Sequence, residues 1–279
     1  MKRQQSFNQL NGKLYLVATP IGNLSDMTFR AIETLKKVDF IYAEDTRVSM
    51  KLLHHFEIST HMYSYHEHNK EEKSVEIVEL IKDGKSIALI SDAGYPIVSD
   101  PGYLVVQKAI DEEIDVVAIP GASALLHGLV VSGLNPHPFT FYGFLDAKKS
   151  KRTKQLLTFV SQSETMIFYE SPHRVEKTLA DMLEVFGNRK AVIARELTKK
   201  YEEIIRGELK DLVLVGPLKG EIVLIVEGAK EEDLVTNLSM IDEVNMLIKN
   251  NFTVKDAIKQ VAKNRGVQKN EVYQKYHKD

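Results

Sequence analysis

The segment SIALISDAGYPIVSDPG, residues 86–102, decides the fold class of this protein. Its first five residues form a short apolar run of the kind that makes a buried β-strand. A loop rich in glycine, proline and polar residues follows the strand at once. Because ligands in open α/β sheets bind outside the carboxyl ends of the strands, the segment predicts a parallel sheet with a ligand-binding loop at its edge.

Apolar runs of the same kind alternate with helical patterns along most of the chain. In the first half, this alternation favours a parallel or mostly parallel α/β sheet. The pattern restarts at residue 139, which predicts a second α/β unit. The run YEEIIRGEL (201–209) alternates with a period of two residues, which predicts an antiparallel or edge strand in the second unit. The other predicted strands are LYLVA (14–18), FIYA (40–43), DVVAI (115–119), FTFYGF (139–144), TMIFYE (165–170), KAVIARE (190–196) and EIVLIVEG (221–228).

The sequence pattern changes after Gly228. A charged linker, AKEEDLVTNLS (229–239), is followed by three short helical patterns. These run over roughly 239–249, 253–264 and 268–276; Thr253 marks a helix start and Gly266 a helix end. We therefore predict two α/β domains with a cleft between them and a small helical extension. The expected parts are a flexible N-terminal segment (1–12), an N-terminal α/β domain (13–122), a C-terminal α/β domain (123–230) and the extension (236–279).

Composition excludes several classes of protein. The chain has 279 residues, a formal charge of −2 and no cysteine. It therefore carries no disulfide scaffold, thiolate nucleophile or cysteine-ligated metal site. The longest apolar stretch (116–134) is interrupted by proline and glycine, and no secretory signal opens the chain, so we expect a cytoplasmic protein without a membrane span. The histidines between His54 and His68 do not match a metal-binding spacing, and Tyr63–His66 reads as a strand end, so we expect no metal.

Four predicted strands of the first unit end in unusual loops: 19–26, 44–47, 91–102 and 120–124. Each loop taken alone is explained by turn chemistry; Asp100 and Pro101, for example, resemble a helix N-cap and first helical residue. Four of them at one sheet edge favour a ligand site. The chain lacks the P-loop, the G-x-G-x-x-G fingerprint and the G-x-S-x-G elbow, so we do not expect pyrophosphate contacts to hold the ligand.

The second half has polar strand ends at YESPHR (169–174) and ARELTK (194–199). Ser171 and Pro172 read as a helix start, which leaves Glu170, His173 and Arg174 unexplained. A structural ion pair is one alternative for them, and a ligand cleft facing the first unit is the other.

Two regions of the chain are basic although the whole chain is not. Lys148, Lys149, Lys151, Arg152 and Lys154 fall within seven positions. From residue 236 onward, eight Lys/Arg stand against five Asp/Glu, a net +3. A solvated helix face is one interpretation, and contact with nucleic-acid phosphates is the other.

Taken together, these strings resemble one known family. TPIGNLSDMTFRAIETL, AEDTR, YSYHEHN, ISDAGYPIVSDPG, IPGASALLHGLVVSGL, FYESPHRV and ARELTKKYEEIIRGEL are similar to the 16S ribosomal RNA (cytidine-2′-O-)-methyltransferases. That family is a branch of the tetrapyrrole methylase superfamily. The resemblance extends over about residues 12–230; the loop at 91–102 alone marks only the superfamily.

The resemblance implies a homodimer of two α/β domains with S-adenosylmethionine in the cleft, acting on a ribose 2′-hydroxyl in the decoding region of the 30S ribosomal subunit. It leaves four candidates for a general base: Glu44, Asp45, Glu170 and His173. Phosphate or ribose contacts would come from Arg47, Arg174 and Lys199, besides the basic residues at 148–154. The implied cofactor-binding residues are Pro20, Ser91, Asp92, Ala93, Gly94, Ile97, Val98, Pro120, Gly121, Ala122, Ser123, Ala124, Phe144, Tyr169 and Arg195.

Two other functions stay open from the sequence. One is methylation of a tetrapyrrole precursor, which uses the same fold and cofactor; the AEDTR, YHEHN and YESPHR strings and the basic extension speak against it. The other is a non-catalytic RNA- or ribosome-binding protein on the methylase fold, against which the intact cofactor loops argue.

Overall fold

A computed structural model of the chain describes residues 3–6, 12–230, 239–249 and 252–277. The chain divides between Ala124 and Leu125 into two units. Most of the predicted linker at 229–239 lies outside the described residues, as does much of the N-terminal segment.

Five parallel strands form the sheet of the first unit: β1 (Leu14–Val17), β2 (Phe40–Ala43), β3 (His61–Ser64), β4 (Ile87–Ile90) and β5 (Val116–Ile119). Their order is β3-β2-β4-β1-β5. The expected parallel sheet is confirmed. The strand predicted at Tyr63–His66 begins and ends two residues earlier, although the Tyr65 N–H still donates to the Ala43 carbonyl at 2.8 Å.

Four helices cover both faces of this sheet: α1 (Phe29–Lys37), α2 (Thr46–His55), α3 (Lys70–Lys82) and α4 (Tyr103–Asp111). Leu35 of α1 and Leu53 of α2 pack with Ala88 and Ile90 on one face. The alternate strand residues, such as Leu89, pack with α3 and α4 on the other face. Burial on both faces explains why β4 is apolar at every position.

The connections change face between two neighbouring strands, β1 and β4. Strand β1 leads to α1 on one face of the sheet, whereas β4 leads to α4 on the opposite face. The connections that follow these two strands therefore lead to opposite faces of the sheet. This arrangement is the topological switch point at which ligands of open α/β sheets bind.

The second unit contains a mixed five-stranded sheet of order β6-β7-β10-β8-β9. Only β6 and β7 pair in parallel, while the other three pairings are antiparallel. The run predicted at 201–209 is confirmed as the antiparallel edge strand β9. The strands are β6 (Phe139–Phe144), β7 (Thr165–Glu170), β8 (Lys190–Arg195), β9 (Glu203–Glu208) and β10 (Ile222–Val226).

Helices pack on both faces of the second sheet as well. On one face, α6 (Lys149–Phe159), α7 (Val175–Phe186) and α8 (Leu209–Leu212) bury a core around Phe168 and Leu224. On the other, α5 (Ala124–Ser132) approaches so closely that a Cβ on Gly128 would lie 3.1 Å from Val223 Cγ1. The α/β fold class predicted from the sequence is thus confirmed.

The C-terminal extension forms three helices: α9 (Met240–Lys249), α10 (Val254–Asn264) and α11 (Lys269–His277). Their apolar faces share a core around Val244, Ile258 and Val272, to which Leu157 of α6 also belongs. The predicted helix signals are confirmed, since Thr253 Oγ1 accepts the N–H of Asp256 and Gly266 has φ +62°. The extension is therefore docked on α6 of the second unit.

The described residues of the N-terminal segment lie along the edge strand β5. The Gln4 side chain donates to the Val116 carbonyl at 2.8 Å and accepts its N–H at 3.1 Å. Lys13 Nζ donates to the Ser6 carbonyl at 2.8 Å. These contacts satisfy backbone groups that an open sheet edge leaves exposed.

Candidate functional site

The loops that follow β1 and β4 are joined at the switch point by a short antiparallel bridge. The Thr19 N–H donates to the Gly94 carbonyl at 2.9 Å, and the Gly94 N–H donates back at 3.0 Å. The buried Thr19 hydroxyl also donates to the Ser91 carbonyl at 3.1 Å. The neighbouring Pro20 is buried too. These hydrogen bonds join two of the four loops singled out in the sequence, the loop after β1 and the loop after β4.

The loop after β5 joins the same cluster through Gly121. Its N–H donates to the Tyr95 hydroxyl at 3.1 Å, and the Thr28 hydroxyl donates to the Pro120 carbonyl at 3.3 Å. A Cβ on Gly121 would lie 2.7 Å from the Cβ of Ala18, so no larger residue fits there without moving the loop. The segment 120–124, predicted to bind the cofactor, thus starts beside Gly94 at the carboxyl edge of the sheet.

The 91–102 loop holds a backbone conformation that L-residues rarely adopt. Besides Gly94 (φ +78°), both Ile97 (+81°) and Ser99 (+72°) lie at positive φ. For a β-branched residue such as Ile97 this conformation is strained, and such strain clusters at ligand sites. The predicted helix start at Asp100 and Pro101 is wrong, because Gly102 (φ +140°) precedes the first residue of α4 without a side-chain cap. Asp100 therefore does not cap α4, and its carboxyl instead interacts with the Ser91 side chain.

Three carboxyl groups come together at this edge, and each has an elevated pKa. Burial is the main cause for Glu44, Asp92 and Asp100, and repulsion among the acidic groups adds to it. The pKa of Asp100 is raised to about 6. Asp92 Oδ1 also accepts the Asp45 N–H at 3.2 Å, which ties the loop after β2 to the loop after β4.

Replacing Asp100 by Asn is expected to stabilise the protein near neutral pH. Between about pH 4 and pH 6 the folded state binds more protons than the unfolded chain, so unfolding free energy falls as pH rises through this window. D100N removes the ionising group, and we expect a gain of about 1–3 kcal/mol at neutral pH. Urea unfolding at a series of pH values measures it. A D100N slope between pH 4 and 6 equal to that of the wild type would contradict this assignment.

Two neighbouring acids after β2 differ sharply in basicity. Arg47 donates to both carboxylate oxygens of Asp45, and together with the Arg47 N–H this lowers the pKa of Asp45 to about 2. Within the described residues Glu44 forms no ion pair with an arginine or lysine, and burial and the nearby acids raise its pKa above the ordinary value. Of these two candidates, only Glu44 is suited to accept a proton.

His66 lies near Glu44 and was not among the residues selected from the sequence. Interaction with His66 partly opposes the rise in the Glu44 pKa. Its ring nitrogen Nδ1 is buried and has no hydrogen-bond partner within the part of the chain that the structure describes. The sequence signal was its position two residues beyond β3, which ends at the same edge as β2.

In the second unit, Glu170 has a structural role. It is 3% exposed, and its carboxylate pairs with Arg174 at 2.7 Å. It also accepts the Ser171 N–H at 2.7 Å and the Thr178 hydroxyl at 2.6 Å. The ion-pair alternative for Glu170 and Arg174 is therefore confirmed. The helix start predicted at Ser171 and Pro172 is wrong, since α7 begins at Val175, while His173 is exposed in the preceding turn.

The other predicted residues of the second unit lie at the carboxyl ends of β6, β7 and β8, which run in one direction. Phe144 packs edge-on against Tyr169 with ring centroids 5.6 Å apart. Arg195 pairs with Glu203, and Lys199 pairs with Glu196 at 2.8 Å and Glu221 at 3.0 Å. Arg195 and Lys199 are thus paired with acids of their own strand end and of the adjoining starts of β9 and β10.

The basic segment at 148–154 is not a uniform surface patch. Arg152 was expected on the surface, but it is buried at 3% exposure and donates to Asp181 at 2.7 Å, so that expectation is wrong. Lys149 and Lys151 are exposed beside Glu184 and Asp146. Lys154 Nζ lies 4.6 Å from the Phe252 ring centroid, against the extension. Lys148 is exposed at the helix start.

Two further properties of the described residues concern metal binding and the crossing of a membrane. Nowhere in 3–6, 12–230, 239–249 and 252–277 do three His, Cys, Asp or Glu side chains form a group that could hold a metal ion. Among the helices in these ranges, none has the length and apolar character needed to cross a membrane.

Comparison with known protein families gives a match over most of the chain. The family model of tetrapyrrole (corrin/porphyrin) methylases matches residues 13–213. A protein of Bacillus subtilis named ribosomal RNA small subunit methyltransferase I is 49% identical, and the alignment covers 99% of each chain. A protein of the same name from Halalkalibacterium halodurans is 50% identical over 100% of both chains.

Solved structures share the fold at much lower identity. Uroporphyrin-III C-methyl transferase from Thermus thermophilus, complexed with S-adenyl homocysteine, superposes with a TM-score of 0.55 at 18% identity, covering 77% of this chain and 97% of that one. Diphthine synthase gives a TM-score of 0.58 at 12% identity, covering 79% and 91%.

Proposed function

Because this chain belongs to the tetrapyrrole methylase family, we propose that it is an S-adenosylmethionine-dependent methyltransferase of small-subunit ribosomal RNA. The observation that carries the proposal is the identity of about half of all residues to relatives bearing that activity in their name, over 99–100% of the chain. The finer part of the proposal is that the acceptor is a cytidine ribose 2′-hydroxyl in the decoding region of 16S RNA. It follows from the resemblance of the AEDTR and FYESPHR strings.

The residues around Gly94 fit the proposed cofactor. The bridge with Thr19 and the contact of Tyr95 with Gly121 hold three loops whose close approach excludes larger side chains. Asp92 and Asp100 supply negative charge suited to a cationic ligand, while Ile97 and Val98 supply apolar surface. The related fold that carries S-adenyl homocysteine supports the same assignment. When bound, S-adenosylmethionine supplies an electrophilic methyl group on a sulfonium centre.

We propose that Glu44 accepts the proton of the ribose hydroxyl. Its pKa is raised, mainly by burial, whereas Arg47 holds the neighbouring Asp45 in its ionised form. A general base works best when its pKa approaches the working pH, and proton transfer of this kind accelerates reactions by about 10²–10⁴-fold. Holding the acceptor oxygen in line with the donor contributes further, because aligned reactants gain a high effective concentration.

Arg47 is the proposed RNA contact nearest to this base. Its side chain is 88% exposed although it pairs with Asp45. Its guanidinium is therefore placed to donate to a phosphate or ribose oxygen. We also propose, from the resemblance, that the protein acts in the cytoplasm as a homodimer, and sedimentation equilibrium of the purified protein tests the dimer.

A transfer assay tests the function. The protein is incubated with methyl-labelled S-adenosylmethionine and, separately, with unmodified 30S subunits, free 16S RNA and a tetrapyrrole precursor. We expect label in the ribosomal RNA, and nuclease digestion to nucleosides should place it on the ribose of a cytidine. Label on the base instead of the ribose would overturn the 2′-O assignment alone.

The same assay separates the rival functions. Label in the tetrapyrrole precursor and none in RNA would make the protein a biosynthetic methylase of the kind that its structural neighbours represent. Tight binding of S-adenosylhomocysteine and of 30S subunits without any transfer would make it a non-catalytic binding protein.

A further inference from the structure

One face of α10 carries three exposed lysines. Lys255, Lys259 and Lys263 are spaced four residues apart, so they follow one another along the same side of the helix at intervals of about 6 Å. Ala257, Ile258, Val261 and Ala262 occupy the opposite side and are buried in the core of the extension. The lysines therefore point away from the protein.

The acids in the described part of the extension form no ion pairs with these lysines. Glu243 pairs with Arg265, and Glu271 pairs with Lys275. Asp242 accepts the Ser239 hydroxyl and Asp256 accepts the Thr253 hydroxyl, so both belong to helix starts. Within residues 239–249 and 252–277, no ion pair involves Lys255, Lys259 or Lys263.

Three like charges at this spacing are unfavourable in an isolated helix. Each i,i+4 pair of equal sign destabilises a helix by a few tenths of a kcal/mol. Asp256 is adjacent to Lys255, but its carboxylate accepts the Thr253 hydroxyl and forms no ion pair with the three lysines in the described part of the extension. A polyanion that contacts all three lysines would offset the repulsion and would release condensed counterions from its own backbone.

Two side-chain contacts join the extension to the second unit. Lys154 of α6 lies against Phe252, two residues before the first residue of α10, and the Ser161 hydroxyl, beyond the end of α6, donates to Asn264, the last residue of α10. These contacts hold the extension on the second unit and leave the three lysines exposed.

We propose that the Lys255–Lys259–Lys263 face of α10 binds the phosphate backbone of the RNA substrate, outside the methyl-transfer site. The proposal rests on the proposed function for the identity of the RNA. Consistently, the extension lies beyond the residues matched by the methylase family model, which end at 213, yet within the alignments to the relatives named as ribosomal RNA methyltransferases. The contact positions the RNA without reading its sequence.

A triple variant, K255Q/K259Q/K263Q, tests the proposal in the full-length protein. RNA binding is measured with a 16S RNA fragment at several salt concentrations. The logarithm of the binding constant falls as the logarithm of the salt concentration rises. Losing three phosphate contacts should make this negative slope shallower by about two and weaken binding about tenfold or more. Binding of S-adenosylhomocysteine and the thermal melting temperature should stay at wild-type values, because the three side chains are exposed.

The matched control removes three exposed lysines elsewhere, as K36Q/K37Q/K190Q, with the same change in charge. An equal loss of salt dependence in both variants would show a net-charge effect and overturn the proposal. So would wild-type RNA binding by the α10 variant. Absence of methyl transfer to RNA by the wild type would refute the proposed function, whereas the salt slope reports on α10 independently.

Discussion

Replacing Glu44 by Gln is expected to slow methyl transfer by at least about 100-fold, the lower limit for loss of a general base. Gln preserves the shape and hydrogen-bonding reach of the side chain but cannot accept the hydroxyl proton. Binding of S-adenosylhomocysteine should change less than about twofold, because the loops that hold Gly94 and Gly121 do not depend on the Glu44 charge. Single-turnover rates with 30S subunits, together with calorimetric binding, measure the two effects.

The pH dependence distinguishes a base from a structural carboxylate. The ionised form of Glu44 is the active one, so the wild-type rate should fall as pH drops through its elevated pKa. In E44Q this acidic limb should disappear from the residual activity. The control is E33Q on the exposed outer side of α1, which should behave as wild type. Wild-type turnover by E44Q, combined with loss of turnover in H173N, would move the base to His173.

Replacing Asp181 by Ala is expected to reduce the unfolding free energy by about 3–5 kcal/mol, as for other buried ion pairs that lose one partner. Arg152 and Asp181 are 3% and 4% exposed, and both the Nε and Nη2 atoms of Arg152 lie 2.7 Å from Asp181 Oδ2. Without the carboxylate, the guanidinium stays buried with only the carbonyls of Asp146 and Ala147 as acceptors. Urea denaturation followed by circular dichroism measures the loss.

A control for this prediction lies one turn further along α7. Glu184 also interacts with Lys149, at 3.3 Å, but is 65% exposed. Its replacement by Ala should change stability by less than about 0.5 kcal/mol, as for surface ion pairs. The double variant R152M/D181L should lose less stability than D181A, because it leaves no unpaired buried charge. A loss below 1 kcal/mol in D181A would contradict the structural role of the pair.

The buried Arg152–Asp181 pair changes how mutations in the basic segment (148–154) must be interpreted. Neutralising Arg152 would leave Asp181 buried without its partner and destabilise the second unit, so a loss of the proposed RNA binding in such a variant would be indirect. Lys154 likewise contacts Phe252 of the extension. Lys149 Nζ also lies 3.5 Å from the buried Asp181, so among the five only Lys148 and Lys151 can be neutralised without touching this pair or the extension.

Most elements of the fold were predictable because their signals are local. The apolar runs at Ile87–Ile90 and Ile222–Val226 are buried strands, and their composition alone requires burial on both faces. The helix signals at Thr253 and Gly266 act within a single turn, so they were recognised without knowledge of the fold. The glycine- and proline-rich loops were recognised as loops at strand ends for the same reason.

The pairing of distant residues was not predictable, because it depends on which elements the tertiary structure brings together. Nothing near Arg152 in the sequence indicates that it pairs with Asp181 on the next helix. In the sequence Glu44 and Asp45 are simply adjacent acids, and only the structure shows that Arg47 pairs with Asp45. The antiparallel position of β10 in the second sheet also depends on long-range pairing.

The sequence by itself therefore determined the α/β class, the strands, the helical extension and the positions of the loops that form the candidate site, since periodicity, capping and turn chemistry are local properties. Only the tertiary structure decided which charged groups are buried, paired or exposed. It turned Arg152 and Glu170 into structural residues, gave Glu44 and Asp100 elevated pKa values, and left the lysines of α10 exposed. The physical reason is that desolvation and charge pairing act through space between residues far apart in the chain.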